Sequence, residues 1–170
     1  MGAPQRYSVV VTKDYLKFSA AHFMAYPGFR ERLHGHNYQL TVRIEAELGP
    51  DGYVLDFGTV KRCAKALCDE LDERVIVPSA SDCLRVRTVD GSIEVLTEEG
   101  HRFLYPEGDC RLLPIVHSSA EELAAHLLDR LQSALAREVP TRSIRLLEVG
   151  VAEAPGQVAY CRTECDASSS

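Results

Sequence analysis

Two histidines separated by one residue lead into a strongly alternating segment, which constrains the fold more than any other part of the chain. From Tyr38 to Ala46 every second residue is apolar, and the residues between are polar or charged. An alternation with period two predicts a β-strand with one buried and one exposed face. His34 and His36 lie in the register of the buried face, so both imidazoles are expected to point the same way.

Histidines that enter the buried face of a sheet are candidate metal ligands, because neutral imidazole binds transition metals. A third candidate, His22, lies upstream in an extended segment. Three histidines and one open position form the arrangement of a catalytic zinc ion. An isolated His-x-His pair is more often a hydrogen-bonded core pair than a metal site, so the spacing alone leaves both interpretations open.

The composition is typical of one globular domain over 1–170, with a disordered tail at about 164–170. Of the 170 residues, 45% are hydrophobic, which is sufficient for a hydrophobic core. No apolar run has membrane-spanning length and no signal-peptide pattern begins the chain, so we expect a cytoplasmic protein that binds no membrane. The net charge is −6, and no basic stripe contains interspersed aromatic residues, so nucleic-acid binding is not expected.

The remaining periodicity predicts two helices and a small antiparallel sheet. Apolar residues at helical spacing predict a first helix over about 58–72, with Asp56 as its N-cap. Ser119, followed three residues later by Glu122, predicts a capping box at the start of a second helix that ends near Arg137. Together with four main antiparallel strands, this indicates an α+β fold with both helices on one face of the sheet.

Two features modify this simple arrangement. A β-hairpin insert is predicted within about 78–115, with a type I′ turn at Asp90 and Gly91. A further short strand is expected to follow the hairpin, from Arg102 to Tyr105. The role of the insert is open between a cap over a site and a contact in an oligomer. The apolar residues Leu146 and Val149 differ in parity, which predicts a bulge or a fully buried strand.

Several short segments resemble the 6-pyruvoyl tetrahydropterin synthase family, which includes the 6-carboxytetrahydropterin synthases. The resemblance extends from about residue 7 to 162 and implies the tetrahydropterin-synthase fold. In that family subunits join their sheets edge to edge into trimers, and two trimers stack into a hexamer, so a homo-oligomer is expected. The segments are 18–22 (FSAAH), 33–38 (LHGHNY), 51–57 (DGYVLDF), 71–72 (LD), 119–121 (SAE) and 149–153 (VGVAE).

The resemblance also implies roles for individual residues. The zinc ligands of the family correspond to His22, His34 and His36. Its pterin-anchoring carboxylate corresponds to Glu153, and a carboxylate suits this role because it accepts two hydrogen bonds from the guanidine-like edge of a pterin. Further pterin contacts correspond to Ser119 and Glu121. Zn²⁺ is therefore the expected cofactor, acting as a Lewis acid on hydroxyls of the substrate.

The loop before the histidine pair departs from the pyruvoyl and carboxy synthases, which carry a catalytic cysteine there. This chain has no cysteine before Cys63. Its loop resembles the malaria-parasite branch, in which a glutamate, corresponding to Glu31, replaces the cysteine. That branch cleaves 7,8-dihydroneopterin triphosphate and releases 6-hydroxymethyl-7,8-dihydropterin. From the spacing alone, the favoured interpretation of Glu31 is a solvated loop carboxylate paired with a neighbouring arginine.

The end of the first helix also departs from the family pattern, because its catalytic Asp-His pair reads Asp72-Glu73 here. The resemblance implies a zinc-dependent pterin lyase with Glu31 as general base and Asp72 in a second proton relay. Glu73 or His117 would replace the missing histidine. Two alternatives stay open: a 6-pyruvoyl or 6-carboxy tetrahydropterin synthase, and a zinc- and pterin-binding paralogue that has lost catalysis.

Overall fold

A computed structural model describes residues 5–139 and 144–164. Its main sheet contains β1 (Tyr7–His22), β4 (His34–Ala46), β5 (Arg74–Pro78), β9 (Cys110–Leu113), β10 (Ile144–Ala154) and β11 (Gln157–Glu164). The spatial order is β11-β10-β4-β1-β5-β9. The helices α1 (Phe57–Leu71) and α2 (Ala120–Glu138) cover one face of this sheet. The expected α+β fold with both helices on one face is confirmed.

The sheet is mixed and larger than the four-stranded antiparallel sheet predicted from the sequence. The pairs β1–β4, β4–β10 and β10–β11 are antiparallel, as expected. However, β5 joins the free edge of β1 in parallel, and β9 joins β5 in parallel. The sequence did not reveal these two strands because short apolar runs lack the alternation that identifies a half-buried strand.

The helix starts follow the predicted capping pattern in part. The Asp56 carboxylate accepts a hydrogen bond from the Thr59 amide at 2.8 Å, which caps α1. The Ser119 hydroxyl accepts from the Glu122 amide at 3.3 Å and caps α2. The Glu122 carboxylate does not complete the capping box, because it accepts from the Val116 amide at 2.7 Å. The carboxylate therefore stabilises the segment that leads into the helix.

The core lies between the helices and the main sheet, and β10 enters it after a shift in register near the start of the strand. Ile144 pairs with Ala46, whereas Leu146 pairs with Glu45, so the register shifts between them. Beyond the shift, Leu147 and the apolar residues that alternate with it are buried against the helices. The bulge therefore precedes Leu146 and does not lie between Leu146 and Val149, where the sequence predicted the change of parity. Leu146 is only partly buried and alternates with Leu147 and Val149, so the apparent change reflects an apolar residue on the other face of the strand.

Between β5 and β9 the chain forms a separate sheet of three strands, which we call the insert sheet: β6 (Arg85–Val89), β7 (Ser92–Leu96) and β8 (Arg102–Pro106). The predicted turn is present, since Asp90 and Gly91 have φ of 47° and 73°, as a type I′ turn requires. The third strand, β8, lies where the sequence predicts a further short strand after the hairpin. Its apolar side packs on Phe23, Ala25 and Val77 in a second, smaller hydrophobic cluster.

A short hairpin of β2 (Ala25–Tyr26) and β3 (Phe29–Arg30) connects β1 to β4. Glu164 ends β11, and most of the predicted tail, 165–170, lies outside the described residues. In the part of the chain that is described, no helix is long and apolar enough to cross a bilayer.

Candidate functional site

The pairing of β1 with β4 brings three histidines together at one end of the main sheet. His22 pairs with His34, and Ala20 pairs with His36 on the same ladder. Because alternate side chains share a face, the imidazoles of β4 lie on the helix-covered side together with Tyr38. This group, which we call the histidine triad, forms because the ladder aligns two segments that lie apart in the sequence.

The triad has a geometry suited to a single metal ion. Its ring centroids are 4.7, 5.2 and 4.9 Å apart. One nitrogen from each ring lies within 4.8 Å of the other two, and the triad is the one such group of potential ligands found in residues 5–139 and 144–164. Three converging imidazole nitrogens with an open side match the ligand set of a catalytic zinc site.

Hydrogen bonds determine which nitrogen of the His22 and His34 rings faces the centre of the triad. The Nδ1 atom of His22 donates to the Ser118 carbonyl oxygen at 2.8 Å, and that of His34 donates to the Arg32 carbonyl oxygen at 2.8 Å. Because a carbonyl oxygen only accepts, each Nδ1 carries the proton and each Nε2 keeps a lone pair. Such bonds from the second ring nitrogen are typical of metal-ligating histidines.

His22 supplies the observation that best fits a metal. The residue is 2% exposed, and its buried Nε2 has no hydrogen-bond partner among the described residues. An unsatisfied buried acceptor is unfavourable, and a metal ion would satisfy it. Burial first, and then the neighbouring His34, lower the pKa of His22 to about 4. The ring is therefore neutral near pH 7, as metal ligation requires.

Glu31 lies beside the triad at the base of the β2–β3 hairpin. Its carboxylate accepts a hydrogen bond from the Met24 amide at 3.1 Å, and its own amide donates to the Met24 carbonyl at 2.9 Å. Met24 lies two residues after His22, and Arg32, the residue after Glu31, accepts the hydrogen bond from His34 Nδ1, so Glu31 lies between two segments that carry the triad. Its charge raises the pKa of His22, against the larger lowering by burial. The structure thus brings a half-buried carboxylate to the triad, and the bond to Met24 differs from the arginine pairing that the spacing alone favours.

Glu153 reaches the same region from the end of β10, on the face that carries Tyr38. Tyr38 is fully buried, and its hydroxyl has no hydrogen bond of good geometry among the described residues, although the Glu153 carboxylate is close enough to interact with it. Burial first, and then the negative charge of Glu153, raise the pKa of this hydroxyl. The Tyr38 ring lies edge-on to His22 and His36, with centroids 5.9 and 5.5 Å apart. Tyr38 therefore connects the triad with Glu153.

Sequence reasoning treated Tyr38 as an ordinary core residue and missed its place in the site. The available signal was its position two residues after His36, in the same strand register. That spacing places its side chain on the face of the histidines. The unsatisfied hydroxyl depends on the packing of β10 against β4, which no local pattern reveals.

Asp72 is not joined to the triad by any contact in the described part of one chain. Its Oδ1 atom accepts from the Ser19 amide at 2.7 Å, and the Glu73 amide donates to the Ser19 carbonyl at 2.7 Å. These bonds fasten the end of α1 to β1. His117, considered as a replacement for the missing histidine, donates from Nδ1 to the Ala25 carbonyl at 3.0 Å.

The two substrate residues expected at the start of α2 lie next to Ser118, which contacts His22. The Ser119 hydroxyl is occupied as the helix cap, and Glu121 is exposed in the first helical turn. Neither side chain contacts the triad within the described segments. Both positions are consistent with a site that opens at this helix terminus.

The family assignment follows from a comparison of the whole chain with known protein families. The model described as 6-pyruvoyl tetrahydropterin synthase matches residues 11–164. The chain belongs to the 6-pyruvoyl tetrahydropterin synthase family. Members of this family are enzymes that act on the side chains of pterins, so the fold and the enzyme class expected from the sequence motifs are confirmed at this level.

Known relatives extend over nearly the whole chain. A protein of Methanocaldococcus jannaschii, provisionally named a 6-carboxy-5,6,7,8-tetrahydropterin synthase, is 30% identical over 148 residues, covering 86% of this chain and 90% of the relative. The crystal structure of Plasmodium vivax 6-pyruvoyl tetrahydropterin synthase is 35% identical with a TM-score of 0.91, covering 95% of this chain and 100% of the other. The structure of Plasmodium falciparum 6-pyruvoyl tetrahydropterin synthase is 36% identical in sequence, with a TM-score of 0.91 and the same coverage of both chains.

Two further structures of the Plasmodium vivax protein are variants. In them a catalytic glutamate is replaced by alanine or by cysteine. These chains are 34% identical to the present one, with TM-scores of 0.91. A glutamate therefore takes part in catalysis in that relative.

Proposed function

We propose that this family member is a zinc-dependent lyase that cleaves the side chain of 7,8-dihydroneopterin triphosphate and releases 6-hydroxymethyl-7,8-dihydropterin. The observation that carries the proposal is the placement of Glu31, which is bonded to Met24 two residues after His22 and directly precedes Arg32, the partner of His34, at the position where the sequence motif of other family members has a cysteine. The catalytic glutamate of the Plasmodium vivax relative supports the same chemistry.

His22, His34 and His36 would hold the zinc ion. Their donor set, and the unsatisfied buried Nε2 atom of His22, support this assignment. When bound, the ion would supply Lewis-acid polarisation of the substrate's side-chain hydroxyls, which lowers their pKa. The carbonyl groups of Ser118 and Arg32 would keep the two Nδ1-bonded rings in orientation.

Glu31 would act as the general base. It would accept a proton from a side-chain hydroxyl, and the adjacent carbon–carbon bond would break. The departing fragment would keep a carbonyl group, while the electron pair would pass to the pterin side and be protonated there. The bond from the Met24 amide holds one carboxylate oxygen, which leaves the other oxygen to receive the proton.

Glu153 would anchor the pterin ring, with Ser119 and Glu121 as neighbouring contacts. A carboxylate at the end of β10 can accept paired hydrogen bonds from the pterin. Asp72 would serve in a second proton relay if another copy of the chain brought it to the triad. We therefore include a homo-oligomer, a hexamer of two trimers, and a cytoplasmic location in the proposal.

Two other functions have specific support. The Methanocaldococcus jannaschii relative favours a 6-carboxytetrahydropterin synthase, although this chain has no cysteine before Cys63. The Asp72-Glu73 pair favours a paralogue that binds zinc and pterin without turnover. A 6-pyruvoyl tetrahydropterin synthase would need the same cysteine as the 6-carboxy synthase, and the product of the reaction distinguishes the two.

A product assay tests these functions against one another. The zinc-loaded protein is incubated with 7,8-dihydroneopterin triphosphate, and the products are identified by mass spectrometry. We expect 6-hydroxymethyl-7,8-dihydropterin. A 6-pyruvoyl or 6-carboxy product would assign the chain to a synthase reaction, and bound pterin without product would favour the inactive paralogue.

The Glu31→Gln variant tests the assignment of the base. Glutamine can keep the bond from the Met24 amide but cannot accept the proton at neutral pH, so kcat should fall roughly 10²- to 10⁴-fold. The zinc content should stay at the wild-type value. The control is Glu107→Gln, which removes an exposed carboxylate outside the proposed site, in the turn after β8. Unchanged turnover in Glu31→Gln would refute the assignment.

A further inference from the structure

The side chain of Arg30, next to the proposed base, is enclosed by aromatic rings of two separate segments. Its guanidinium lies 5.8 Å from the ring centroid of Phe23 and 5.7 Å from that of Phe103. These rings stack on each other with centroids 5.2 Å apart. The Arg30 side chain is 17% exposed. Because Phe103 belongs to β8, the insert sheet packs directly against the residue before Glu31.

Polar contacts from the turn between β7 and β8 reach the same hairpin. The Nε atom of Arg30 lies 3.2 Å from the Glu99 carboxylate, and the Gly28 amide donates to the Glu98 carboxylate at 3.0 Å. These two consecutive glutamates therefore contact the turn of the β2–β3 hairpin and its last residue. Contacts between residues about 70 positions apart hold the hairpin to the insert.

The contacts continue from Arg30 to Glu31. Arg30 Nη1 donates to the Glu31 carbonyl oxygen at 2.7 Å, while the Met24 amide donates to the Glu31 carboxylate at 3.1 Å. Both the backbone and the side chain of Glu31 are thus fixed. The hairpin itself has strands of two residues each, and such a short hairpin has little stability of its own.

The insert sheet is well suited to hold another segment, because it contains its own buried ionic group. Glu94 is 4% exposed and accepts hydrogen bonds from both Arg87 and Arg102. These bonds connect all three strands of the insert on one side. The apolar side of the insert contributes to the second hydrophobic cluster.

We infer that the insert sheet is a clamp for the base, and that Arg30, Glu99 and Phe103 are positioning residues that hold the Glu31 carboxylate toward the histidine triad. This inference rests on the proposed function for its catalytic consequence. It gives the insert a role different from the cap and the oligomer contact that the sequence left open. The physical basis is that a general base must be held within hydrogen-bond reach of its proton.

Hydrogen exchange tests the clamp without requiring any activity. Exchange of the Met24 amide requires opening of its bond to the Glu31 carboxylate, so its rate reports directly on the position of that side chain. In Glu99→Gln and in Phe103→Leu we expect the Met24 and Glu31 amides to exchange about two- to fivefold faster. The control, Glu107→Gln, removes the same charge from the insert region without a contact to the hairpin and should exchange like the wild type. Wild-type exchange in both clamp variants would overturn the inference.

Steady-state kinetics test the catalytic consequence. In Glu99→Gln, kcat should fall by at most about two- to fivefold, matching the change in exchange, while KM and the zinc content stay unchanged, because a displaced base affects only the chemical step. Arg30→Lys should not behave like the wild type, since lysine lacks the planar group that bonds Glu99 and the Glu31 carbonyl together. Faster exchange with unchanged kcat in an active enzyme would refute the positioning role. If the wild type lacks turnover, the proposed function fails while the exchange result still decides whether the clamp exists.

Discussion

The histidine triad depends on each of its rings, but the rings differ in how they are held. His22 is buried and bonded to Ser118, whereas His34 is oriented by the carbonyl of Arg32 in a loop next to it. An ion held by three ligands loses a third of its protein donors when one imidazole is removed. Substitution of each histidine can be assessed by two separate measurements, the metal content and the stability of the protein.

The His34→Ala variant is expected to lose stoichiometric zinc, because two imidazoles do not complete the ligand set of such a site. Metal content after dialysis, measured by inductively coupled plasma mass spectrometry, checks this expectation. His101→Ala is the control, since His101 is exposed and lies outside the triad. Retention of one zinc per chain by His34→Ala would contradict the three-histidine site.

The stability of the metal-free protein should fall as the pH decreases from about 6.5 to about 4. Burial holds the pKa of His22 at about 4 in the folded state, below the ordinary value of 6.5. Between these values the unfolded state binds more protons, so acid favours unfolding by up to about 1.4 kcal/mol per pH unit. Urea unfolding at pH 7 and pH 5 measures the change. The loss should be smaller in His22→Gln, and an equal loss in both proteins would contradict the assignment.

Among the secondary-structure elements, the β1–β4 ladder carries all three histidines, and its close backbone packing restricts the residue between two of them. Gly35 of β4 pairs with Ala21 of β1, the residue directly before His22. A Cβ atom added at Gly35 would lie 3.2 Å from the Ala20 carbonyl oxygen. Since this oxygen belongs to the backbone of the ladder, it cannot move aside as an exposed side chain could.

Gly35→Ala should therefore displace His34 and His36 and weaken zinc binding by about tenfold. Substitutions of residues that orient metal ligands typically lower metal affinity by about 10- to 100-fold. Competition titration with a chromogenic chelator measures the affinity. Gly108→Ala is the matched control, because an added Cβ there meets no atom within 4 Å. Equal zinc affinities in the two variants would show that the ladder tolerates the extra carbon.

At the scale of the whole molecule, the main sheet has two open edges, and the outer edge strand β11 displays aromatic and aliphatic surface. Tyr160 is 60% exposed and Val158 is 40% exposed. Open sheet edges with apolar side chains are surfaces on which strands of another copy can pair. The lack of any contact between Asp72 and the triad in the described residues also requires a second copy if Asp72 is to serve there.

We expect the protein to form a hexamer in solution with a mass of about 113 kDa, six times the 18.8 kDa of one chain. Size-exclusion chromatography with light scattering measures this mass over a range of concentrations. A trimer would support edge pairing without stacking of two rings. A monomer of 18.8 kDa under conditions of full activity would contradict both the assembly and the role proposed for Asp72.

The sequence by itself determined the elements whose signals are local. The alternation after His36 predicted β4, and the helical spacing with Asp56 and Ser119 predicted both helices and their caps. The same register placed the histidines on one face of the sheet. Short motifs were sufficient for the family assignment, which the family comparison confirmed. These features are readable because neighbouring residues specify backbone periodicity and capping.

The tertiary structure alone decided the features that depend on distant segments. It added β5 and β9 in parallel, left the Tyr38 hydroxyl unsatisfied beside Glu153, and placed Glu99 on Arg30. None of these features has a periodic signal, because each depends on which side chains meet after the chain has folded. The physical reason is that contact between residues about 70 positions apart is set by the packing of whole elements, which local sequence does not specify.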